Sequence, residues 1–143
     1  MPNLHMLENK LPVAPLKLVV MDSAKELGDE INSYLVEFRK HLKNTFKNTP
    51  SWEGYTEDSY LTQADCPRFG SGEAKGIFYE SIRGKDLYIL VDVCNHSVTY
   101  TINGYTNHKS PDDHYQDLKR IIAAATGKAK RINVIMPFLY EGR

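Results

Sequence analysis

The sequence predicts an α/β domain, a largely parallel sheet flanked by helices with a β-hairpin element. Three observations carry that reading. LKLVVMD at 16–22, DLYILVDVC at 86–94 and RINVIMPF at 131–138 are short apolar runs with the valine, leucine and isoleucine content of buried strands. Two amphipathic segments, near 24–44 and 111–126, alternate with them. Asn103-Gly104 separates VTYTI from YT, and this dipeptide suits a two-residue hairpin turn because both positions tolerate a left-handed backbone.

Residues 1–15 contain Pro2, Pro12 and Pro15 and show no period, so they read as an arm or cap before a domain spanning 16–143. The run 16–22 is expected to be a buried, parallel strand. Ser23 with Glu26 three residues on has capping-box spacing. Leu27, Ile31, Tyr34, Leu35, Phe38 and Leu42 then recur at helical spacing, which predicts a helix over 24–44 with its apolar stripe on the sheet.

Residues 48–59 form a polar loop in which Trp52 is a candidate anchor. YLTQAD predicts a short strand, and the glycines of RFGSGE at 68–73 predict a tight turn. KGIFYESI at 75–82 reads as a strand, and RGK after it closes either a hairpin or a tight connection to the run at 86–94. Ser110-Pro111-Asp112-Asp113 opens the second helix with a cap, a proline in the first turn and acids at the positive end of the dipole. Tyr115, Leu118, Ile121, Ile122 and Ala125 form its buried face, and Gly127 ends it. In such sheets ligands bind beyond the carboxyl ends of the strands, so the loops after residues 22, 94 and 138 are where a site is expected.

A chain of 143 residues is the size of one domain. Its 18 Lys and Arg balance 18 Asp and Glu, which gives no global case for nucleic acid or an acidic membrane as partner. No stretch approaches the roughly 20 apolar residues of a membrane span. The N-terminus carries an acid and lacks the continuous apolar run of a signal peptide. Cys66 and Cys94 match neither a CxxC pair nor a zinc pattern. A cytoplasmic protein is expected, and a Cys66–Cys94 disulfide runs against that compartment.

Four features offer chemistry. In RFGSGE, Phe69 beside a flexible polar turn suits stacking on a base whose edge a hydroxyl and a carboxylate can read. The ordinary alternative is a turn with Phe69 in the core, and turn chemistry alone favours it. In ESIRGKD at 80–86, Arg83 and Lys85 with a serine hydroxyl suit a phosphate, whereas the ordinary alternative is a solvated charged turn. Asp112-Asp113-His114 looks like a metal triplet, but consecutive helical residues point apart, and the helix dipole already accounts for the acids. No metal ligands are read there. His96 and His108 flank the hairpin and are placed to meet. There is no GxSxG, Walker A or GxGxxG motif.

Together the segments resemble the N-terminal half of the ribose-phosphate pyrophosphokinase (phosphoribosyl pyrophosphate synthetase) family. That family carries R-F-S-D-G-E, then E-S-V-R-G-K-D, then a strand ending in a cysteine-containing turn, then R-I-N-x-V-I-P-Y-x-x-Y-A-R-Q. RFGSGE at 68–73, ESIRGKD at 80–86, LYILVDVC at 87–94 and KRINVIMPFLYEGR at 130–143 match in order and approximate spacing.

The resemblance implies a type I phosphoribosyltransferase-like fold. It also implies transfer of pyrophosphate from ATP to the C1 hydroxyl of ribose 5-phosphate, giving phosphoribosyl pyrophosphate and AMP for nucleotide biosynthesis. By the same resemblance, Phe69 packs on adenine, Glu73 hydrogen-bonds the base and Arg143 reaches ATP at a subunit interface of a homo-oligomer. Ser71 replaces the motif's aspartate or asparagine. Ser81 and Arg83 match a regulatory phosphate site.

The resemblance further implies magnesium, with its ligands outside this chain, and ribose 5-phosphate bound by a second domain absent here. This chain alone is therefore expected to be inactive. Residues 45–58 look inserted, 95–109 is longer than the family's turn, and Leu139–Gly142 match poorly. The alternative function is a non-catalytic regulatory or assembly subunit of a pyrophosphokinase, toward which Ser71 leans. A further alternative is an unrelated α/β binding module.

Overall fold

The computed structural model describes residues 12–45 and 55–143. Most of the arm at 1–15, and the Trp52 anchor, lie outside the described residues.

β1 (Leu16–Val20) is followed by a 3-10 turn (Asp22–Ala24) and α1 (Lys25–Thr45). β2 (Leu61–Thr62), β3 (Ala64–Asp65) and β4 (Ile77–Phe78) are two-residue strands. β5 (Asp86–Leu90), β6 (Thr99–Ile102), β7 (Tyr105–His108), α2 (Pro111–Ala125) and β8 (Arg131–Ile135) complete the order.

The main sheet runs β2-β1-β5-β8 and all its pairs are parallel. Leu16, Asp86 and Arg131 share one register row at the amino ends, and Val20, Leu90 and Ile135 share one at the carboxyl ends. This agrees with the sheet expected from the three apolar runs and adds β2 at one edge. β5 is central, with Leu87, Ile89 and Leu90 fully buried, which is why its run is apolar without alternation. β8 is the other edge, and its Val134 and Ile135 are exposed.

The sheet has a helix on each face. Val19, Leu87 and Ile89 pack with Leu118, Ile121 and Ala125 of α2. Leu18 and Leu90 pack with Ala24, Val20 and Ile31 on the α1 side. Alternate residues of β1 thus serve opposite layers. Gly28 lets α1 approach β1, because a methyl group there would stand 2.4 Å from the Val20 side chain. The predicted α1 stripe is only partly covered: Leu42 is buried, whereas Leu27 and Tyr34 are exposed, with Tyr34 stacked on Phe38.

Two local expectations are corrected and one open choice is decided. Ser23 makes no capping box with Glu26. The residue before the 3-10 turn is Met21, and the Ser23 hydroxyl accepts from the Asp92 N–H at 3.1 Å, a long-range bond that outcompetes the local one. Of the two connections open to RGK, the tight one forms and the hairpin does not. β4 pairs antiparallel with β3, and a turn from Ile82 O to Lys85 N leads into the main sheet. The strand expected over 75–82 shrinks to Ile77–Phe78.

The β6–β7 hairpin forms as its dipeptide predicts, with Asn103 at φ 50° and Gly104 at φ 82°. The α2 cap forms too. Ser110 Oγ accepts from Asp113 N, and the Asp113 carboxylate accepts from Ser110 N. Gly127, at φ 75°, follows the end of α2.

Candidate functional site

The loop at 68–74 is a closed turn. Arg68 and Ala74 form an antiparallel bridge, Phe69 N donates to Glu73 O at 2.8 Å, and Gly72 N donates to Phe69 O at 2.9 Å. The glycines do supply a turn, as expected. Phe69 is not in the core, however. It is 52% exposed where a hydrogen-bonded turn begins, so the ordinary reading of this residue fails. Ser71 Oγ donates to Glu73 Oε2 at 3.1 Å, which orients the exposed carboxylate. An exposed ring beside an oriented acid suits stacking on a flat heterocycle and accepting a hydrogen bond from its edge.

The loop is held from below by a group that sequence reading did not single out. Asp117 of α2 is 0% exposed and takes three cations. Arg68 donates to both of its oxygens, at 2.8 and 3.1 Å, Lys109 donates at 3.0 Å and Arg120 at 2.7 Å. Arg68 also stands 3.6 Å from Asp113. The signal was present: Asp117 lies one helical turn before Ile121, on the stripe that Ile121 and Ala125 continue. A carboxylate on an apolar stripe must be paired to be buried.

Ser81 and Arg83 are exposed and line an open cavity of about 390 Å³ with Lys75, Glu80 and Lys128. Three cations against one acid make it suited to an anion. It is separate from the Phe69 loop. Arg143 is exposed, and among the described residues it makes no hydrogen bond or ion pair to that loop.

At the carboxyl ends of the strands, a cleft of about 700 Å³ is lined by Asp22, Ser23, Lys25, Asp92, Asn95 and Phe138 among others. Its loops are cross-linked. Asn95 Nδ2 donates to Ser23 O at 2.9 Å, and the buried His114 meets Asn95 O through Nε2 at 2.8 Å.

Asp112, Asp113 and His114 point three ways. Asp112 accepts from the Tyr140 hydroxyl at 2.6 Å, Asp113 caps the helix, and His114 serves the Asn95 carbonyl. The Tyr140 hydroxyl is pushed up to about 12 by that bond to Asp112. Burial pushes the Asp113 carboxyl up, but its bonds from the Ser110 backbone and hydroxyl and the Arg68 charge outweigh burial and hold it below the ordinary range. Among the described residues no three His, Cys, Asp or Glu gather as an ion site. His96 and His108 do meet, although by ring to backbone, with His108 Nδ1 2.9 Å from His96 O. Cys66 and Cys94 are free thiols, and burial pushes Cys66 up to about 12.

Comparison with known proteins decides the family. The N-terminal domain of ribose phosphate pyrophosphokinase matches residues 16–143. The chain belongs to that family.

Among solved structures it is similar to phosphoribosylpyrophosphate synthetase from Mycobacterium smegmatis, at 26% identity and a TM-score of 0.48. The match covers 86% of this chain and 30% of that one. No curated protein matches. Family membership bears out the resemblance drawn from RFGSGE, ESIRGKD and KRINVIMPFLYEGR. Among the described residues no helix is long and apolar enough to cross a membrane.

Proposed function

We propose that this pyrophosphokinase-family chain is the ATP-binding, oligomer-forming half of a cytoplasmic enzyme. That enzyme transfers pyrophosphate from ATP to ribose 5-phosphate for nucleotide biosynthesis. The observation that carries the reading is the exposed Phe69 ring on a loop closed by its own hydrogen bonds.

In the reaction the C1 hydroxyl oxygen attacks the β-phosphorus of ATP, the bond from that phosphorus to the α–β bridging oxygen breaks, and AMP leaves. Such a displacement is accelerated by alignment and by charge stabilisation, and it needs no covalent nucleophile. The part of this chain is alignment. Phe69 stacks on adenine, and Glu73, steadied by Ser71, accepts a hydrogen bond from the exocyclic amine. Arg143 meets the nucleotide bound by a neighbouring subunit. Ribose 5-phosphate is held by a second domain.

Magnesium in this chemistry neutralises phosphate charge. Its ligands, on this reading, lie outside this chain. Ser81 and Arg83, with Lys75 and Lys128 around one cavity, take a regulatory phosphate. The reading as a non-catalytic subunit rested on Ser71, and the Ser71 bond to Glu73 favours a working loop instead.

The test is Phe69→Ala with ATP titrated calorimetrically into the folded protein. Base stacking is worth about 1–3 kcal/mol, so ATP binding should weaken roughly 5- to 150-fold. The melting temperature should hardly move, since an exposed ring contributes little to the core. Unchanged ATP affinity in the folded variant ends the assignment.

A further inference from the structure

We propose that Arg68 is a positioning residue for the base-binding loop, and that the β6–β7 hairpin is a built part of the same site. This rests on the nucleotide reading of Phe69 and deepens it. An exposed ring has no core neighbours to aim it, so its direction must come from its backbone. Arg68 is the residue immediately before Phe69, and its guanidinium is immobilised on two sides. Both Asp117 oxygens accept from it, at 2.8 and 3.1 Å, and the Tyr100 ring of β6 lies 4.9 Å away.

Asp117 is itself fixed on α2 by Arg120 at 2.7 Å and by Lys109, at the base of the hairpin, at 3.0 Å. Lys109 also stands 3.9 Å from Asp22, just beyond the carboxyl end of β1. The ionic chain Asp22–Lys109–Asp117–Arg68 therefore runs from the end of the sheet to the base loop.

The turn of the hairpin touches that loop while leaving residues 69–73 exposed. Asn103 Nδ2 donates to Gly70 O at 3.4 Å, and a methyl group built on Gly72 would stand 3.9 Å from Ile102 Cδ1. Hairpin, helix and loop come from separate stretches of chain and converge on one buried carboxylate. Holding the loop in its bound shape beforehand removes an ordering cost from nucleotide binding. A planar fork is what two carboxylate oxygens and a ring can grip together, which a lysine ammonium does not offer.

The experiment compares Arg68→Lys and Tyr100→Leu with Arg131→Lys, a control at the other end of the sheet. Two quantities are read on each folded protein: hydrogen exchange at the Phe69 and Gly72 amides, and ATP affinity by calorimetry. The Ile89 and Leu90 amides, at the end of β5 away from Asp86 and Arg131, serve as the internal reference. In Arg68→Lys, exchange at both loop amides should rise about tenfold against β5, and ATP binding should weaken by a similar factor. Tyr100→Leu should show the same pattern more weakly, and Arg131→Lys should leave both readings at wild-type values.

Wild-type loop exchange in folded Arg68→Lys overturns the proposal. Faster loop exchange with unchanged ATP affinity, in a protein whose Phe69→Ala variant binds ATP poorly, overturns the link to the base. A wild-type pattern in Tyr100→Leu removes the hairpin from the site. Should Phe69→Ala itself bind ATP normally, the nucleotide reading is what has failed, and the exchange data still judge the clamp.

Discussion

Two buried carboxylates hold opposite parts of the molecule. Asp86 lies at the amino ends of the strands. Its partners are Arg131, at 2.8 and 2.6 Å, and the Asn133 amide at 3.0 Å, both on the adjacent β8. Asp117 lies on α2, whose first turns face the carboxyl-end loops. Its cations come from the 68–74 loop, the foot of the hairpin and its own helix. The Asp86 pair joins two adjacent strands and is balanced, one cation to one acid, and it fixes their register. At Asp117 three cations share one fully buried acid, and they approach balance only through Asp113 and Asp22 at the edges. One ion pair ties two adjacent strands in register, whereas the carboxylate under the 68–74 loop joins a loop, the foot of a hairpin and a helix.

Removing each carboxylate tests this contrast most strongly. Asp117→Ala strips three buried or half-buried cations of their partner, and breaking a buried pair costs about 3–5 kcal/mol. Asp86→Ala should cost less, because the Arg131 side chain is 43% exposed and recovers water. Urea unfolding of both variants measures the difference. Equal losses would mean that Asp117 holds no more of the structure together than Asp86 does.

A smaller effect is expected at the start of α2, which carries Asp117. Ser110→Ala removes the cap that accepts from Asp113 N at 3.1 Å and should cost about 1 kcal/mol by the same unfolding curves.

The Asp113 carboxyl is held below its ordinary value in the folded state. Its stabilisation is therefore present above the ordinary carboxylate value and is lost as pH falls through the lowered one. Melting temperatures from pH 7 down to 2 should fall less steeply for Asp113→Asn than for wild type. A parallel acid limb would show that the carboxylate matters little to α2.

Smallest in energy is thiol reactivity. Buried Cys66, with its thiol pushed up to about 12, should resist alkylation at neutral pH while exposed Cys94 reacts. Peptide mapping after brief alkylation reads this out, and early labelling of Cys66 would mean that the region around Asp117 opens readily.

Much of the fold was legible from local patterns. The runs at 16–22, 86–94 and 131–138 became parallel strands because apolar residues on both faces leave few alternatives to a buried sheet. Asn103-Gly104 made its hairpin and Ser110 its cap because those signals act within a few residues. The Ser23–Glu26 spacing misled for a related reason. It is a local signal, and the Ser23 hydroxyl was taken by Asp92, 69 residues away. For the candidate site, the sequence suggested which residues to watch in RFGSGE, yet turn chemistry alone favoured a buried Phe69.

What the sequence determined by itself was the family, the order of strands and helices, and the position of the glycine turn. Each is written in neighbouring residues. Only the tertiary structure decided that Phe69 faces solvent, that Ser81 and Arg83 share a cavity with Lys75 and Lys128, and that Asp117 joins Arg68 across 49 residues of chain. The physical reason is the range of the forces involved. Hydrogen-bonded turns and apolar periodicity act along the chain, whereas a buried charge is stabilised by whichever opposite charges packing brings to it.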